Sequence, residues 1–348
     1  MRFENVCIEA IGHHLPENIV KSDDLERRLG PLYDRFKLSV GRLELMSGIR
    51  ERRFWDKGVF PSAVASKAGE DALARTPMDR NEIGCLICGS VSRDFLEPAT
   101  ASVVHNSLKL RPDSIFYDVS NACLGVLNGM IQVANMIECG QIRAGLIVSG
   151  ENGGPLVDHT IETLLADPNP TRNKIKSAFA SFTIGSAAVA VLLAHKDLAT
   201  TGHRLIGGAY QSATQFNHLC QGNQDSGMGG DAAPLMETDS ETLMQEGCEL
   251  ARQTWDVMKH NLNWGNDDVD RVFCHQVGHL HRKLLYETLQ LNLDKDFSTL
   301  EFLGNTGSAA LPVTLALGDE QGVILPGQKV GLLGIGSGLS CVMLGAEW

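Results

Sequence analysis

Apolar strand-like runs alternate with amphipathic helical runs twice along this 348-residue chain, and that doubled alternation constrains the fold more than any other feature. In the first round, strands are expected at 5–12 ("NVCIEAIG"), 83–91, 114–120, 143–151 and 186–195, and helices at 61–76, 98–110 and 123–140. Pro98 is read as a first-turn residue of its helix, and Gly140 as the cap that closes the last one. Residues 152–180 read as irregular. In the second round, strands are expected at 203–213, 269–276, 328–336 and 339–348. Helices are expected at 241–262, 278–291 and 305–322, and 221–240 reads as a polar Gly-rich loop. Strands that are apolar throughout, rather than alternating, imply an α/β fold whose sheets are covered on both faces. The pattern splits near residue 200, giving halves 1–199 and 200–348. The order of elements repeats; the residues themselves do not.

A net charge of −12 repels phosphates on average, which argues against a nonspecific nucleic-acid binder. The first twenty residues carry no long apolar run after a basic start, so neither a signal peptide nor a transmembrane segment is expected. Nine cysteines lie scattered, with Cys7, Cys85, Cys88, Cys274 and Cys341 inside apolar runs. That usage fits free thiols in a reducing cytoplasm better than a disulfide framework.

Several residues sit where α/β folds build sites, and each admits a plain structural reading as well. Cys123 stands between a strand and a helix. A helix N-terminus lowers a thiol pKa and favours the nucleophilic thiolate, yet free cysteine is also a common buried residue. His275 ends the strand in "VFCHQVG", as a site residue or a core histidine. In "HQVGHLH", His275 and His279 fit one helical face whereas His281 does not, and no metal-binding pattern accompanies them. Asn305, in "FLGNTGSAALP", reads equally as an N-cap. Glu97 before Pro98 reads as a carboxylate at a helix start. The "GIGSGL" run (334–339) lies too near the end to open a dinucleotide-binding unit, so its glycines point to close backbone approach. Cys85 and Cys88, three apart on a strand, face opposite ways and cannot pair.

Taken together, "NACLG" with Cys123, "HQVG" with His275 and "GNTGSAALP" with Asn305 resemble the Cys-His-Asn triad of the ketoacyl synthase III branch of the thiolase superfamily. "SGIRERR" and "GIGSGLSC" add to the likeness, which spans the chain. Within that branch, "SVSRDFLEPATAS" (90–102), "YDVSNACL" and "LLGIGSGLSC" resemble the OleA-type acyl-CoA condensing enzymes of long-chain olefin biosynthesis.

The resemblance implies a thiolase-like five-layer α/β/α/β/α fold from two similar halves, a cytoplasmic homodimer, and no cofactor or metal beyond the coenzyme A thioester substrates. It implies a non-decarboxylative Claisen condensation of two long-chain acyl-CoA molecules to a 2-alkyl-3-oxoacyl-CoA or β-keto acid through a Cys123 acyl-enzyme. His275 and Asn305 would hold the second thioester oxygen. Backbone N–H groups of Cys123 and Ser337 would form the oxyanion hole. Glu97 would reach the partner subunit's active site as base, in an apolar channel that raises its pKa. Thiolases use a second cysteine for that proton, and no second cysteine stands in such a motif here. Arg50, Arg52 and Arg53, with Trp55, are candidates for coenzyme A phosphates and adenine, or else a solvated turn. The helix after Cys123 and the "FASFTIG" segment (179–185) are candidate acyl-chain linings, or else plain core. Downstream pathway enzymes are possible partners. Two rival readings remain at this level: a decarboxylative 3-oxoacyl-carrier-protein synthase III using malonyl-carrier protein, and a non-catalytic acyl-binding subunit of a larger complex.

Overall fold

The structure, a computed structural model, describes residues 1–222, 235–275 and 277–348. The first half runs β1 (Val6–His14), β2 (Asn18–Lys21), α1 (Ser22–Arg28), α2 (Gly30–Phe36), α3 (Arg42–Ser47), β3 (Glu51–Phe54), α4 (Pro61–Ala74), β4 (Ile83–Cys88), α5 (Thr100–Ser107), β5 (Ile115–Asp118) and α6 (Gly125–Glu138). It ends with β6 (Ala144–Glu151), α7 (Gly154–Ala166), α8 (Arg172–Ala178) and β7 (Ala187–His195). The second half runs β8 (Arg204–Ser212), β9 (Cys220–Gly222), β10 (Met236–Thr238), α9 (Ser240–Leu262), β11 (Arg271–Cys274), α10 (His279–Leu289), α11 (Leu300–Leu303), α12 (Ala310–Glu320), β12 (Lys329–Gly336) and β13 (Ser340–Glu347).

Hydrogen bonds join nine strands in the order β11-β12-β13-β8-β1-β7-β6-β4-β5. The join between halves is thin: β1 meets β8 through the single pair Cys7 and Arg204. On either side the order is the same, β4-β6-β7-β1 matching β11-β12-β13-β8. A lone parallel bridge from Val272 to Asp296 stands where β5 stands in the first half.

Three apolar clusters give the layers. The central one combines α6 (Val126, Leu127, Met130, Val133) and α12 (Leu311, Val313, Leu315) with strands of both halves, among them Val191 and Val342. The outer ones pack α4 and α5 on the first half and α9 and α10 on the second. The result is the expected α/β/α/β/α stack. A helix sandwiched between two sheets must be apolar most of the way round, and α6 and α12 are. Each buried large aliphatic side chain contributes roughly 1.5–3 kcal/mol. Cys85 lies in the central cluster and Cys88 in an outer one, as strand alternation requires. No helix among the described residues is long and apolar enough to cross a membrane.

Three local readings are corrected. Residues 152–180 are not irregular: α7 and α8 occupy most of them and cover a fourth cluster with α1 and α2. That cluster also takes Phe182, so the 179–185 segment is core. The 221–240 reading falls partly on 223–234, outside the described residues; what is described includes β10, paired with β9. Pro98 is not a first-turn residue. The Glu97–Pro98 peptide is cis, and α5 begins at Thr100 with Ala99 as N-cap. Pro312 is accommodated in the first turn of α12, where a missing N–H costs nothing.

One contact sets where α6 starts. A Cβ on Gly125 would lie 2.7 Å from the carbonyl carbon and oxygen of Gly89, and one on Gly89 would lie 2.5 Å from the carbonyl carbon of Gly125. Backbone meets backbone here, so no rotamer change relieves the clash. Gly125→Ala is expected to destabilise the fold by about 3 kcal/mol, measured as a lower urea midpoint with unchanged slope.

Candidate active site

Cys123 and His275 follow the carboxyl ends of strands, one in each half, and Asn305 lies in the turn between α11 and α12. Cys123 follows β5 through a sharp turn. Ala122 takes a left-handed conformation at φ 45°, unusual for a residue with a Cβ, and Leu124 N–H donates to Asn121 O at 2.9 Å. The turn lifts Cys123 clear of the helix, whose first residue is Gly125. A Cβ on Gly336 would lie 3.5 Å from Cys123 N, and one on Gly334 only 2.4 Å from Leu127. The "GIGSGL" glycines therefore admit the Cys123 segment itself. Ser337 comes next, in the turn between β12 and β13.

The expected helix-end lowering of the thiol pKa does not prevail. Burial pushes the Cys123 thiol up to about 12, and Glu151 and Cys220 push the same way. The resting group is a thiol, not a thiolate. Cys220 is thus a second thiol within electrostatic range, far away in sequence and outside any thiolase-type motif.

His275 follows β11, is only 6% exposed, and donates its backbone N–H to Leu333 O at 2.9 Å. That bond ties it to the same β12 end that meets Cys123. Its Nδ1 is buried without a hydrogen-bond partner among the described residues. Burial, aided by His281, holds its pKa down to about 3, so the ring is neutral at physiological pH. The relation among the histidines differs from the expectation. His279 opens α10 and lies against Gly48, whereas His281 shares a small cavity of about 10 Å³ with His275. No group of three metal-binding side chains occurs among the described residues.

Burial also holds His281 down, to about 4. Both imidazoles titrate near 6.5 in an unfolded chain. Below that pH the unfolded state binds protons that the folded state refuses, so stability is present above pH 6.5 and lost as pH falls toward 4. The urea midpoint is expected to drop across that window, and His281→Gln to flatten the drop.

Asn305 is pinned on both sides. Its N–H donates to Thr183 O and its carbonyl accepts from Gly185 N–H, both at 2.8 Å. Its Oδ1 accepts from Gly307 N–H at 3.0 Å. Asn305 is thus not the N-cap: that position is Thr306 for the short turn at 307–309 and Ala309 for α12, and the Asn305 side chain instead bonds two residues ahead, which leaves its Nδ2 amide as a donor.

Glu97 is not the partner of a helix end. The first N–H groups of α5 donate to Asp118, from Thr100 and Ala101 at 2.8 Å each. Glu97 is exposed, as are Phe95 and Leu96 beside it, and it is not among the charged neighbours of its own chain's Cys123. The loop behind it is firmly held. Asp94 accepts from Ser62 N–H at 2.9 Å, and Phe95 packs on Phe60 at 5.8 Å.

The basic candidates do not form a patch. Arg52 is fully buried and donates to Val20 O, Ser22 Oγ and Phe182 O, with its pKa lowered to about 10 by burial. In this conformation it is a structural cation, unavailable to a phosphate. Arg50 is exposed and paired with Glu301 at 2.7 Å, and Arg53 donates to Pro16 O. Trp55 donates to Glu151 O at 2.9 Å and stacks on His14. Beside the Cys123 turn, Asn121, Asn128, Ile131 and Gln132 line a cleft of about 360 Å³ together with Val119 and Tyr210.

This arrangement can be set beside known proteins. Sequence profiles of 3-oxoacyl-(acyl-carrier-protein) synthase III match residues 117–213 and, for its C-terminal part, 259–348. An acyl-CoA:acyl-CoA alkyltransferase from Shewanella oneidensis is 43% identical over all of both chains. The chain belongs to the 3-oxoacyl-(acyl-carrier-protein) synthase III family. Within this family it is 27% identical to a beta-ketoacyl-(acyl-carrier-protein) synthase III from Deinococcus deserti, over 98% of this chain and 91% of that one. A cysteine-to-serine variant of Xanthomonas campestris OleA, solved with lauric acid and lauroyl-CoA bound, superposes with a TM-score of 0.93. It is 35% identical and covers 99% of this chain and 100% of its own.

Proposed function

We propose that this family member condenses two long-chain acyl-CoA molecules without decarboxylation, as a homodimer in which each subunit lends Glu97 to the other. The observation that carries the reading is the contrast between Glu97 and its surroundings. An exposed carboxylate, absent from the charged groups that act on its own nucleophile, ends a loop that is otherwise bolted down. The edge strand β5 next to it exposes Ile115 and Phe116, an apolar ladder edge that a second copy would cover. Greater similarity to the acyl-CoA:acyl-CoA alkyltransferase than to the beta-ketoacyl synthase supports the same choice.

In this reading Cys123 attacks the first thioester and gives up its proton as it does so. Neutral His275 receives that proton and returns it to the departing coenzyme A sulfur. The Cys123 and Ser337 N–H groups hold the oxyanion; removing one such donor typically costs about 3 kcal/mol of barrier. The second acyl-CoA then places its thioester oxygen between His275 and the Asn305 Nδ2 amide. Glu97 of the partner subunit removes the α-proton, and the carbanion attacks the acyl-enzyme. The product is a 2-alkyl-3-oxoacyl-CoA, and Cys123 is freed. Entry of two substrates in turn through a covalent intermediate gives ping-pong kinetics. The cleft beside Cys123 is the first candidate for an acyl chain, each buried methylene contributing roughly 0.8 kcal/mol.

The test is lauroyl-CoA as sole substrate. Release of coenzyme A together with a long-chain ketone is the expected outcome, the ketone forming once water has hydrolysed the product thioester to the β-keto acid and this has lost CO2 spontaneously. Product that forms only when a malonyl thioester is added would overturn the reading in favour of the decarboxylative enzyme.

A further inference from the structure

Glu151 ends β6 and is buried, yet it is not a member of the Cys-His-Asn set. Its carboxylate gathers two loops. Oε1 accepts from Val91 N–H at 2.9 Å, and Oε2 from Ser92 N–H at 3.1 Å. Ser308 N–H reaches Oε1 at 3.3 Å, and the Ser308 hydroxyl lies 2.8 Å from the same oxygen. Residues 91–92 begin the loop that carries Glu97. Residues 307–308 close the turn that carries Asn305, whose Oδ1 is itself bound to Gly307 N–H. Buried hydroxyls extend the link. Ser149 Oγ lies 3.0 Å from both Ser90 Oγ and Ser308 Oγ, and Gly150 N–H donates to Ser90 Oγ at 3.0 Å. A Cβ on Gly307 would lie 3.1 Å from the Glu151 carboxyl carbon, so the turn is pressed directly on the carboxylate.

We propose that Glu151 is a positioning residue of the condensation step, fixing in one buried knot the turn that aims Asn305 at this subunit's substrate and the loop that extends Glu97 to the partner's. The inference rests on the condensation reading above. The knot needs acceptors only: backbone N–H groups converge on two oxygens. A carboxamide replaces one of those oxygens by an NH2 group that faces N–H donors, so Glu151→Gln breaks the knot with almost no change of volume. Neither loop carries the Cys123 nucleophile. Loss of the Glu151 charge also removes one influence that raises the Cys123 thiol pKa, which does not hinder attack, so the first half-reaction survives and the second loses its aligned groups.

The experiment uses the full-length Glu151→Gln protein and follows the two half-reactions separately with lauroyl-CoA. Intact-mass spectrometry reads acylation of Cys123, and ketone formation reads condensation. Acylation is expected within about threefold of wild type, whereas condensation falls on the order of 10²-fold and acyl-enzyme accumulates. A parallel fall of both steps, which a purely structural role would give, overturns the proposal, as does unchanged condensation. If Glu151→Gln does not fold, Ser308→Ala removes one strand of the knot. Condensation must then fall at least about fivefold at preserved acylation, and wild-type condensation by Ser308→Ala would sink the idea. Should wild type require a malonyl thioester, the condensation reading fails on its own. The same two-step comparison run with that thioester still decides whether Glu151 positions Asn305.

Discussion

Cys123→Ala is expected to leave no acyl adduct on the protein after mixing with lauroyl-CoA, and to lower condensation by about 10⁴-fold or more. The reason is local. Cys123 follows the left-handed Ala122 beside the end of β12, where a Cβ on Gly336 would press to 3.1 Å on Leu124, and none of the other eight cysteines stands on such a turn. Cys220, the nearest rival by electrostatic influence, should not take over. Because burial holds Cys123 as a thiol, alkylation by iodoacetamide at pH 7 should be slower than for an exposed cysteine and should accelerate as pH rises. Intact-mass spectrometry checks each point. An acyl adduct of undiminished size on the alanine variant would remove Cys123 from the mechanism.

Glu97→Gln should have the second largest effect, and a different one. Acylation is expected to proceed at the wild-type rate, because the attack of Cys123 on the first thioester uses His275 and the oxyanion-hole N–H groups and not the partner's glutamate. Condensation should fall by about 10²- to 10⁴-fold, the usual worth of a positioned general base. Pre-acylated Glu97→Gln protein would then persist, observable as a stable mass increment. Equal loss of both half-reactions would place the residue in folding or assembly instead.

Much of the architecture was legible because the strands announce themselves. β7 is apolar from Ala187 to Ala194 and β6 from Ala144 to Val148, and only a strand covered on both faces tolerates that. The same regularity hid α7. Its buried Val157, Thr160, Ile161 and Leu164 fall at helical spacing, but Thr160 interrupts the apolar stripe, exposed Leu165 blurs it, and the face covers only a satellite cluster. Cys123 and His275 were visible as strand-end residues and Asn305 as an amide in a glycine-flanked turn, all three made specific by a family resemblance. Glu151 carried the same strand-end signal, in "VSGE", and was passed over because no motif surrounds it. His281 was assigned to the wrong face by extending α10 back through His275, whereas the helix begins only at His279. The "GIRERR" cations show the limit most clearly. Arg50 precedes β3 and is exposed, whereas Arg52 lies within β3 and is buried, and charge alone does not reveal which arginine a fold has claimed for its interior.

The account depends most on a base that acts across the subunit boundary. Mixing Cys123→Ala and Glu97→Ala subunits tests this directly, since each homodimer alone lacks one half of every site. The account predicts that subunit exchange restores condensation, to roughly a quarter of the wild-type rate at random mixing, because one site in each mixed dimer regains both groups. Mixed dimers that form but stay inactive would contradict it.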